Sequence, residues 1–295
     1  LRRLGSRGVN VLTVSITERG RALEDRLPFA AVHGDLAATV RERWADVDGF
    51  VLVAAVGAVV RVVAPLLADK HHDPGVVCVD DTGRWVVPLA GGHAGGANDL
   101  ARTVADALGA TAVVTTATDA RGVPALDTLP GFVVLGDVAG VTRALLDGEP
   151  VAVRSDLPGW PVPIEVRDVS VDVGVGSAHV ILTDRRVAAE PRVVVLHPPS
   201  LVVGVGTSTG APPGRVRALV EEVLAAEGLA AESAAEVATI GQRRDEPAIT
   251  ALGFPVVVFA AEALAAVAVP TPSEVVAAAV GTPSVAEAAA LLAAG

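Results

Sequence analysis

The chain has 295 residues, 51% of them hydrophobic, and a formal net charge of −11 at pH 7. This length allows two or three domains that each bury a core, so one undivided fold is not expected. The acidic balance argues against a nucleic-acid-binding protein, because that association needs clustered Lys and Arg to neutralise phosphates.

Strand and helix patterns alternate through the first 120 residues. Strands are predicted at 9–16, 51–56, 75–80, 85–89 and 112–116, and helices from about residue 21, at 35–44 and at 97–108. This order predicts an α/β domain at 1–120, with a mainly parallel sheet and flanking helices. Ligands of such sheets bind at the carboxyl ends of the strands, where we expect the loops at Gly57 and Gly91.

The longest apolar segment, residues 50–68, contains Gly57, Arg61 and Pro65. It predicts a buried strand, a turn and a short helix rather than a membrane span. The first residues lack an apolar stretch of signal-peptide length, so we expect a cytoplasmic protein with no membrane partner. Cys78, the only cysteine, excludes an intrachain disulfide and is predicted to be a small core residue.

Prolines interrupt the pattern in a middle segment at 121–198. Short strands at 132–135, 161–166 and 178–182 and a helix at 141–146 predict a small α+β segment here. Trp160 is interpreted as a side chain that covers a sheet edge, with stacking on a ligand as the alternative.

The α/β pattern restarts in a third domain at 199–295. Strands are predicted at 200–205 and 256–259, and helices at 213–226 and 233–237. Two alanine-rich helices end the chain, and Ser284 and Glu287 fit a capping box at the start of the second. The whole chain is therefore predicted to be a multi-domain α/β protein.

A glycine-rich loop at residues 91–96 joins a strand to the helix that begins at Ala97. Glycines let the backbone approach a ligand closely, and a helix N-terminus offers free N–H groups and the positive end of the dipole. The loop therefore favours an anion. His93 could accept or donate a proton there near neutral pH. A tight turn with a surface histidine is the alternative.

Several sequence blocks occur together in a recognisable order. They lie at 57–61, 64–67, 69–74, 92–98 and 115–119, and again at 245–247, 271–274 and 281–289. The first five resemble the CbiG family of cobalamin-biosynthesis proteins, and the last three resemble its C-terminal, CobE-like domain. The resemblance covers nearly the whole chain and is weakest from 125 to 200.

The resemblance implies a cobalt-precorrin-5A hydrolase, which opens the δ-lactone of a cobalt-tetrapyrrole, releases acetaldehyde and gives cobalt-precorrin-5B. The substrate is a large polycarboxylate macrocycle that brings its own cobalt, so neither a cofactor nor a protein metal site is expected. His71 and His72 also lack a second ligand group at metal-binding spacing. Other corrin-pathway enzymes or a fused precorrin methyltransferase are the expected protein partners.

Lactone opening requires an activated water, stabilisation of the oxyanion and proton transfer, without a nucleophilic side chain. His93 is predicted to be the general base, and Asn98 or Asp99 is predicted to orient water or the histidine. The N–H groups of Gly95, Gly96 and Ala97 are predicted oxyanion donors. Asp99 could instead stabilise the helix dipole, and His71 and His72 are alternative bases.

Substrate carboxylates require local positive charge in this acidic chain. Arg61 and Lys70 are the preferred partners, and Arg243 and Arg244 are further candidates in the third domain. The remaining predicted substrate-binding residues are His71, His72, Gly92, Gly95, Gly96, Ala97, Arg102, Gly204 and Gly206.

Two positions depart from the family pattern. The family often has Ser where this chain has Gly92. Its C-terminal domain usually opens with Gly-Ile-Gly-Cys and basic residues, where this chain reads Gly204-Val205-Gly206-Thr207. The glycines of that loop could still present N–H groups to the substrate.

Two other functions compete with hydrolysis. The CobE-like character of residues 200–295 would permit a non-catalytic protein that binds and hands on a corrinoid intermediate. A nucleotide-dependent oxidoreductase would share the α/β pattern, but neither glycine loop has the dinucleotide-binding spacing.

Overall fold

The computed structural model describes residues 10–69, 72–92, 95–158, 160 and 176–295. It divides into two compact units, the first ending at Thr128 and the second beginning at Leu129. Three sheets are present, one of six strands, one of four and one of three. The architecture is α/β with parallel-dominated sheets, as the sequence predicts, while the three-domain boundaries stay a prediction.

The first unit is built on a six-stranded sheet in the order β2-β1-β3-β4-β5-β6. Strands β1 to β4 are parallel to one another, β5 is antiparallel to β4, and β6 is parallel to β5. Its elements are β1 (Val11–Ser15), α1 (Glu18–Glu24), β2 (Ala30–His33), α2 (Leu36–Arg43), β3 (Gly49–Val53), α3 (Val56–Val63), β4 (Gly75–Val79), β5 (Trp85–Ala90), α4 (Ala97–Leu108), β6 (Thr111–Ala112) and α5 (Ala117–Arg121).

Two apolar cores cover the two faces of this sheet. Strands β1, β3 and β4 are buried along their whole length, as expected for valine-rich strands with helices on both sides. Helix α4 packs on one face, and α2 and α3 pack on the other. Cys78 is 1% exposed and its thiol donates to the carbonyl of Ala54 at 3.1 Å, which confirms its predicted place in the core.

A hairpin between β4 and β5 reverses the chain. The carboxylate of Asp80 accepts hydrogen bonds from Thr82, Arg84 and Trp85, which closes the short turn. Although desolvation opposes them, these hydrogen bonds lower the pKa of Asp80. A turn this short can join only antiparallel strands, because a parallel pair needs a crossover of a dozen or more residues.

The reversal corrects one expectation. Gly57 lies in the first turn of α3 rather than in a loop, and because α3 follows β3 it is at the carboxyl edge of β1 to β4. The loop at Gly91 follows the reversed strand β5, so it lies at the opposite edge, where β4 begins. In agreement, a Cβ atom on Gly91 would stand 3.0 Å from the Cα atom of Gly75. Gly57 and the glycine-rich loop therefore lie at opposite edges of the sheet.

The second unit contains two sheets. The four-stranded sheet has the order β7-β10-β9-β8, with β7 antiparallel and the others parallel. Trp160, beyond β8, is 36% exposed, and the strand predicted at 161–166 lies outside the described residues. The elements are β7 (Val133–Gly136), α6 (Val138–Asp147), β8 (Val151–Ser155), β9 (Ala178–Leu182) and β10 (Val193–His197).

The last sheet is parallel throughout, in the order β11-β12-β13. The helix predicted at 233–237 is wrong, because Ala234–Ile240 forms β12, the central strand, which is paired on both sides. The elements are β11 (Leu201–Gly204), α7 (Pro213–Ala226), β12 (Ala234–Ile240), α8 (Pro247–Thr250), β13 (Val256–Phe259), α9 (Ala261–Ala265), α10 (Glu274–Val280) and α11 (Ala286–Ala294).

Half of the predicted capping box is present at the start of α11. The hydroxyl of Ser284 accepts from the amide of Glu287 at 3.3 Å. The carboxylate of Glu287 instead accepts from the amide and hydroxyl of Thr271, at 3.2 and 2.5 Å. The Thr271 hydroxyl is the largest contribution that lowers the pKa of Glu287. Glu287 therefore ties the segment before α10 to the start of α11.

Candidate active site

The glycine-rich loop is closed by its own backbone. The carbonyl of Gly91 accepts from the amides of Gly95 and Ala97, at 2.9 and 3.1 Å, and the carbonyl of Gly92 accepts from the amide of Asn98 at 3.0 Å. Two of the three amides predicted to bind the oxyanion are therefore already engaged. The third, Gly96, occupies the N-cap position of α4 with φ of 72°, and its amide has no partner among the described residues.

Close packing explains why this loop needs glycine. A Cβ atom on Gly95 would stand 2.9 Å from the Cα atom of Gly91, closer than real Cβ contacts come. A Cβ atom on Gly75, the first residue of β4, would overlap the carbonyl oxygen of Gly95. The loop thus rests directly on the backbone of the sheet, which fixes the position of the start of α4.

Asn98 lies in the first turn of α4 and is 2% exposed. Its side-chain Nδ2 donates to Thr116 Oγ1 at 3.1 Å and to Asp119 Oδ2 at 2.9 Å. The hydroxyl of Thr116 in turn donates to the same Asp119 oxygen at 2.5 Å. The three side chains form a closed triangle that joins the start of α4 to the start of α5.

The other end of the Asn98 amide faces the loop. Its Oδ1 atom is buried and has no hydrogen-bond partner among the described residues. A Cβ atom on Gly92 would stand 3.4 Å from this oxygen. A buried acceptor without a donor costs about 1–3 kcal/mol. The structure therefore holds an unsatisfied acceptor at the residue that precedes His93.

Arg102 connects Asp99 and Asp119. One guanidinium nitrogen donates to Asp99 at 2.7 Å and the other donates to Asp119. The hydrogen bond to Asp119 is the largest contribution that raises the pKa of Arg102. The Asp99 side chain is 75% exposed and pairs with Arg102, so the structure does not bring it to the Asn98 acceptor. The guanidinium of Arg102, which was predicted to bind substrate, is therefore already paired with two carboxylates of the chain itself.

His72 lies shortly before β4 in the chain and therefore at the same edge of the sheet as the glycine-rich loop. His72 is exposed, and its Nδ1 atom lies 2.8 Å from the carboxylate of Asp69. His93, Lys70 and His71 lie outside the described residues. His72 is therefore a surface side chain with a carboxylate partner.

Arg61 lies on α3 and is not brought to the glycine loop. Its Nη1 atom donates to the carbonyl of Gly57 at 2.9 Å, one turn back toward the N-terminus of the helix. That end of α3 lies at the carboxyl edge of β3, opposite the loop. The predicted role of Arg61 as a carboxylate partner near the glycine-rich loop is therefore not supported by the topology.

The loop after β11 is held by contacts within the second unit. Arg243 Nε donates to the carbonyl of Thr207 at 3.1 Å, and the buried Glu246 accepts from the amide of Gly210 at 3.0 Å. A Cβ atom on Gly204 would overlap the carbonyl oxygen of Ala286 at the start of α11. Helix packing is thus a sufficient reason for this glycine. Gly206 as a substrate contact stays a prediction, as does Arg244.

Thr116 and Asp119 were not predicted as site residues. Both belong to the block 115–119, so the family pattern contained a signal. Their proximity to Asn98 follows from the parallel pairing of β5 with β6, which brings the segments after both strands to one edge of the sheet.

Across the described ranges, no three His, Cys, Asp or Glu side chains form a group that could hold a metal ion. Within the same ranges, every helix is too short or too polar to cross a membrane.

The fold and the loop define an α/β protein with a glycine-rich strand-to-helix site. Two family models match the chain, one described as Cobalamin synthesis G N-terminal at residues 38–119 and one described as Cobalamin synthesis G C-terminus at residues 201–295. The chain belongs to this family, CbiG.

Two curated relatives carry the same name. A cobalt-precorrin-5A hydrolase from Priestia megaterium is 28% identical over 311 aligned residues, which cover 97% of this chain and 83% of that protein. A cobalt-precorrin-5A hydrolase from Salmonella typhimurium is 45% identical over 118 residues, which cover 40% of this chain and 32% of that protein. A solved cobalamin biosynthesis protein G homolog from Sulfolobus solfataricus aligns with a TM-score of 0.39 and 23% identity, covering 97% of this chain and 90% of that one.

Proposed function

We propose that this chain is a cobalt-precorrin-5A hydrolase, which opens the δ-lactone of a cobalt-tetrapyrrole and releases acetaldehyde. Both curated relatives are named for this activity, and one of them aligns with nearly the whole chain. The observation that carries the proposal is the buried, unsatisfied oxygen of Asn98 at the glycine-rich loop. An acceptor of this kind suits a site that must orient water or a proton carrier.

The chemical steps divide among few groups. His93 accepts a proton from the attacking water, and the amide of Gly96 donates to the oxyanion that forms at the acyl carbon. Asn98 Oδ1 accepts a hydrogen bond from the water or from the imidazole N–H, which fixes its direction. Because water is the nucleophile, no side chain of the chain forms a covalent intermediate. The cobalt enters and leaves with the tetrapyrrole as part of the substrate.

Substrate carboxylates are bound at the same edge of the sheet. His72 lies in the turn that leads into β4, and Lys70 and His71 precede it in the sequence. A protonated imidazole or an ammonium group would pair with a carboxylate there, and the pairing would weaken as salt is added. Arg102 contributes indirectly, since it neutralises Asp119 within the site.

The non-catalytic carrier has less support, because both curated relatives are named as hydrolases. The two functions differ in product. Purified protein is incubated with cobalt-precorrin-5A, acetaldehyde is followed with a coupled dehydrogenase, and the tetrapyrrole is followed by mass spectrometry. Acetaldehyde with the matching loss of mass supports the hydrolase, whereas tight binding of an unchanged tetrapyrrole supports the carrier.

The histidine assignment is tested by three single variants. His93→Ala is expected to lower kcat by about 100-fold or more, as loss of a general base does. His72→Ala tests whether His72, the alternative base, is needed for turnover. His33→Ala is the matched control, because His33 ends β2 at the opposite edge of the sheet and its imidazole contacts Ser15. Unchanged turnover in His93→Ala would overturn the assignment.

Cytoplasmic location and association with other corrin-pathway enzymes or a fused methyltransferase belong to the same proposal. Fractionation of cells that express the tagged protein tests the first. Co-purification with a precorrin methyltransferase tests the second.

A further inference from the structure

We infer that Asp119 is the positioning residue of this site, and that it acts by fixing the Asn98 amide so that Oδ1 faces the glycine-rich loop. The inference rests on the proposed function for its chemical meaning. Its structural basis is independent of that proposal, because it follows from the donors and acceptors of four side chains.

The orientation of the Asn98 amide is set by chemistry. Both hydrogens of Nδ2 are used, one by Thr116 Oγ1 at 3.1 Å and one by Asp119 Oδ2 at 2.9 Å. Rotating the amide by 180° would point Oδ1 at the Asp119 carboxylate, so that two acceptors without hydrogens would face each other. The negative charge of Asp119 therefore leaves only one orientation, with Oδ1 toward Gly92.

Asp119 is itself held from two sides. Its Oδ2 atom accepts from Asn98 and Thr116, and its Oδ1 atom accepts from Arg102. The side chain is 17% exposed, so these donors stabilise a carboxylate that is mostly removed from water. The hydrogen bonds from Asn98, Thr116 and Arg102 fix the position of this carboxylate, so it can hold the Asn98 amide in place.

Asp119 is hydrogen-bonded to one end of the Asn98 amide. It contacts the Nδ2 end of the amide, while the Oδ1 end stands beside Gly92. We infer that Asp119 acts on the reaction through this contact with Asn98. This distinguishes a positioning residue from a second base, because a second base would act on its own.

The test is a double-mutant cycle on purified full-length protein with cobalt-precorrin-5A as the probe. Asp119→Asn is expected to lower kcat by about 100-fold, the loss typical of a misplaced group, and to change KM little. The new amide offers one oxygen, which cannot serve both Asn98 and Arg102. In an Asn98→Ala background, Asp119→Asn is expected to lower kcat hardly any further, because the effects of residues that act as a unit are not additive. Losses that multiply in the double variant would overturn the inference.

Arg102→Gln is the matched control. It removes the ion pair to Asp119 and keeps the contact of Asp119 with Asn98, so kcat should fall far less than in Asp119→Asn. Equal losses in kcat and thermal midpoint for the two variants would indicate that Asp119 only stabilises the fold.

A ligand-independent measurement separates this inference from the proposed function. The Asn98 side-chain amide is assigned in ¹⁵N NMR spectra by its loss in Asn98→Ala, and its hydrogen exchange is expected to accelerate in Asp119→Asn but not in Arg102→Gln. A wild-type protein that releases no acetaldehyde but shows this change would defeat the hydrolase and support the positioning role. Unchanged exchange in Asp119→Asn would overturn the positioning role whatever the activity.

Discussion

A Cβ atom on Gly75 would overlap the carbonyl oxygen of Gly95. The first residue of β4 is therefore the surface on which the glycine-rich loop rests, although twenty residues separate the two in sequence. Gly95 is thus in direct backbone contact with the sheet, and a side chain at residue 75 would push the two apart.

Gly75→Ala is expected to destabilise the protein by about 1–3 kcal/mol, because added atoms in a packed region force the backbone to shift. The displaced loop should also lower turnover. Urea unfolding and kcat check the two effects. Gly214→Ala is the matched control, since a Cβ atom on Gly214 meets nothing within 4 Å. Equal stability of the two variants would contradict the packing argument.

Gly92→Ser is expected to be more stable than Gly92→Ala by about 1 kcal/mol, the usual value of one hydrogen bond. A Cβ atom at this position stands 3.4 Å from Asn98 Oδ1 and 3.3 Å from Thr116 Cγ2. Both variants meet the same crowding, but only serine supplies a donor to the unsatisfied oxygen. Urea unfolding measures the difference, which should vanish in Asn98→Ala background. A difference that persists there would show that the serine bonds elsewhere.

Cys78 predicts a loss of stability at high pH. Burial raises the pKa of this thiol from 9.0 to about 11, and the negative charge of Asp80 adds to the rise. Between these values the unfolded chain loses the proton and the folded chain keeps it. The free energy of unfolding should therefore fall by about 1.4 kcal/mol per pH unit between 9 and 11. Cys78→Ala should remove this slope, and an unchanged slope would contradict the assignment.

Glu287 predicts a change at low pH. Hydrogen bonds from Thr271, led by its hydroxyl, lower the pKa of this carboxyl below 4.5. The stabilisation is present above the unfolded value and is lost as pH falls through the folded value. Thr271→Val should move the loss to higher pH, as measured by acid unfolding, while Thr250→Val serves as a control on α8. Coincident acid transitions for wild type and Thr271→Val would disprove the contribution.

Much of the fold could be predicted from local patterns. The helix at 213–226 and the strands at 178–182 and 256–259 are observed within those bounds, because each is a strongly periodic or β-branched segment. Residues 234–240 could not be predicted correctly, since alanine favours helix when considered alone. Pairing with β11 and β13 overrides that preference, and only the tertiary structure supplies those partners.

The place of the site in the fold was harder to predict than the residues that form it. The glycines and Asn98 were visible as a motif, but the edge of the sheet depended on the direction of β5. That direction is decided by the short turn closed by Asp80. Asp119 was found only by its contact with Asn98, because an aspartate in the first turn of a helix is ordinary in sequence.

Because the β4–β5 hairpin reverses the chain, strands of the first unit end at two opposite edges of the sheet. Ile16 follows β1 at one edge and is 51% exposed, while the glycine-rich loop occupies the other. Loops after β1 and β3 can therefore be lengthened, recoded or labelled without entering the neighbourhood of Asn98. The only native thiol, Cys78, is buried. A dye attached at Ile16→Cys could therefore report on the folding of the unit while the site stays free for substrate.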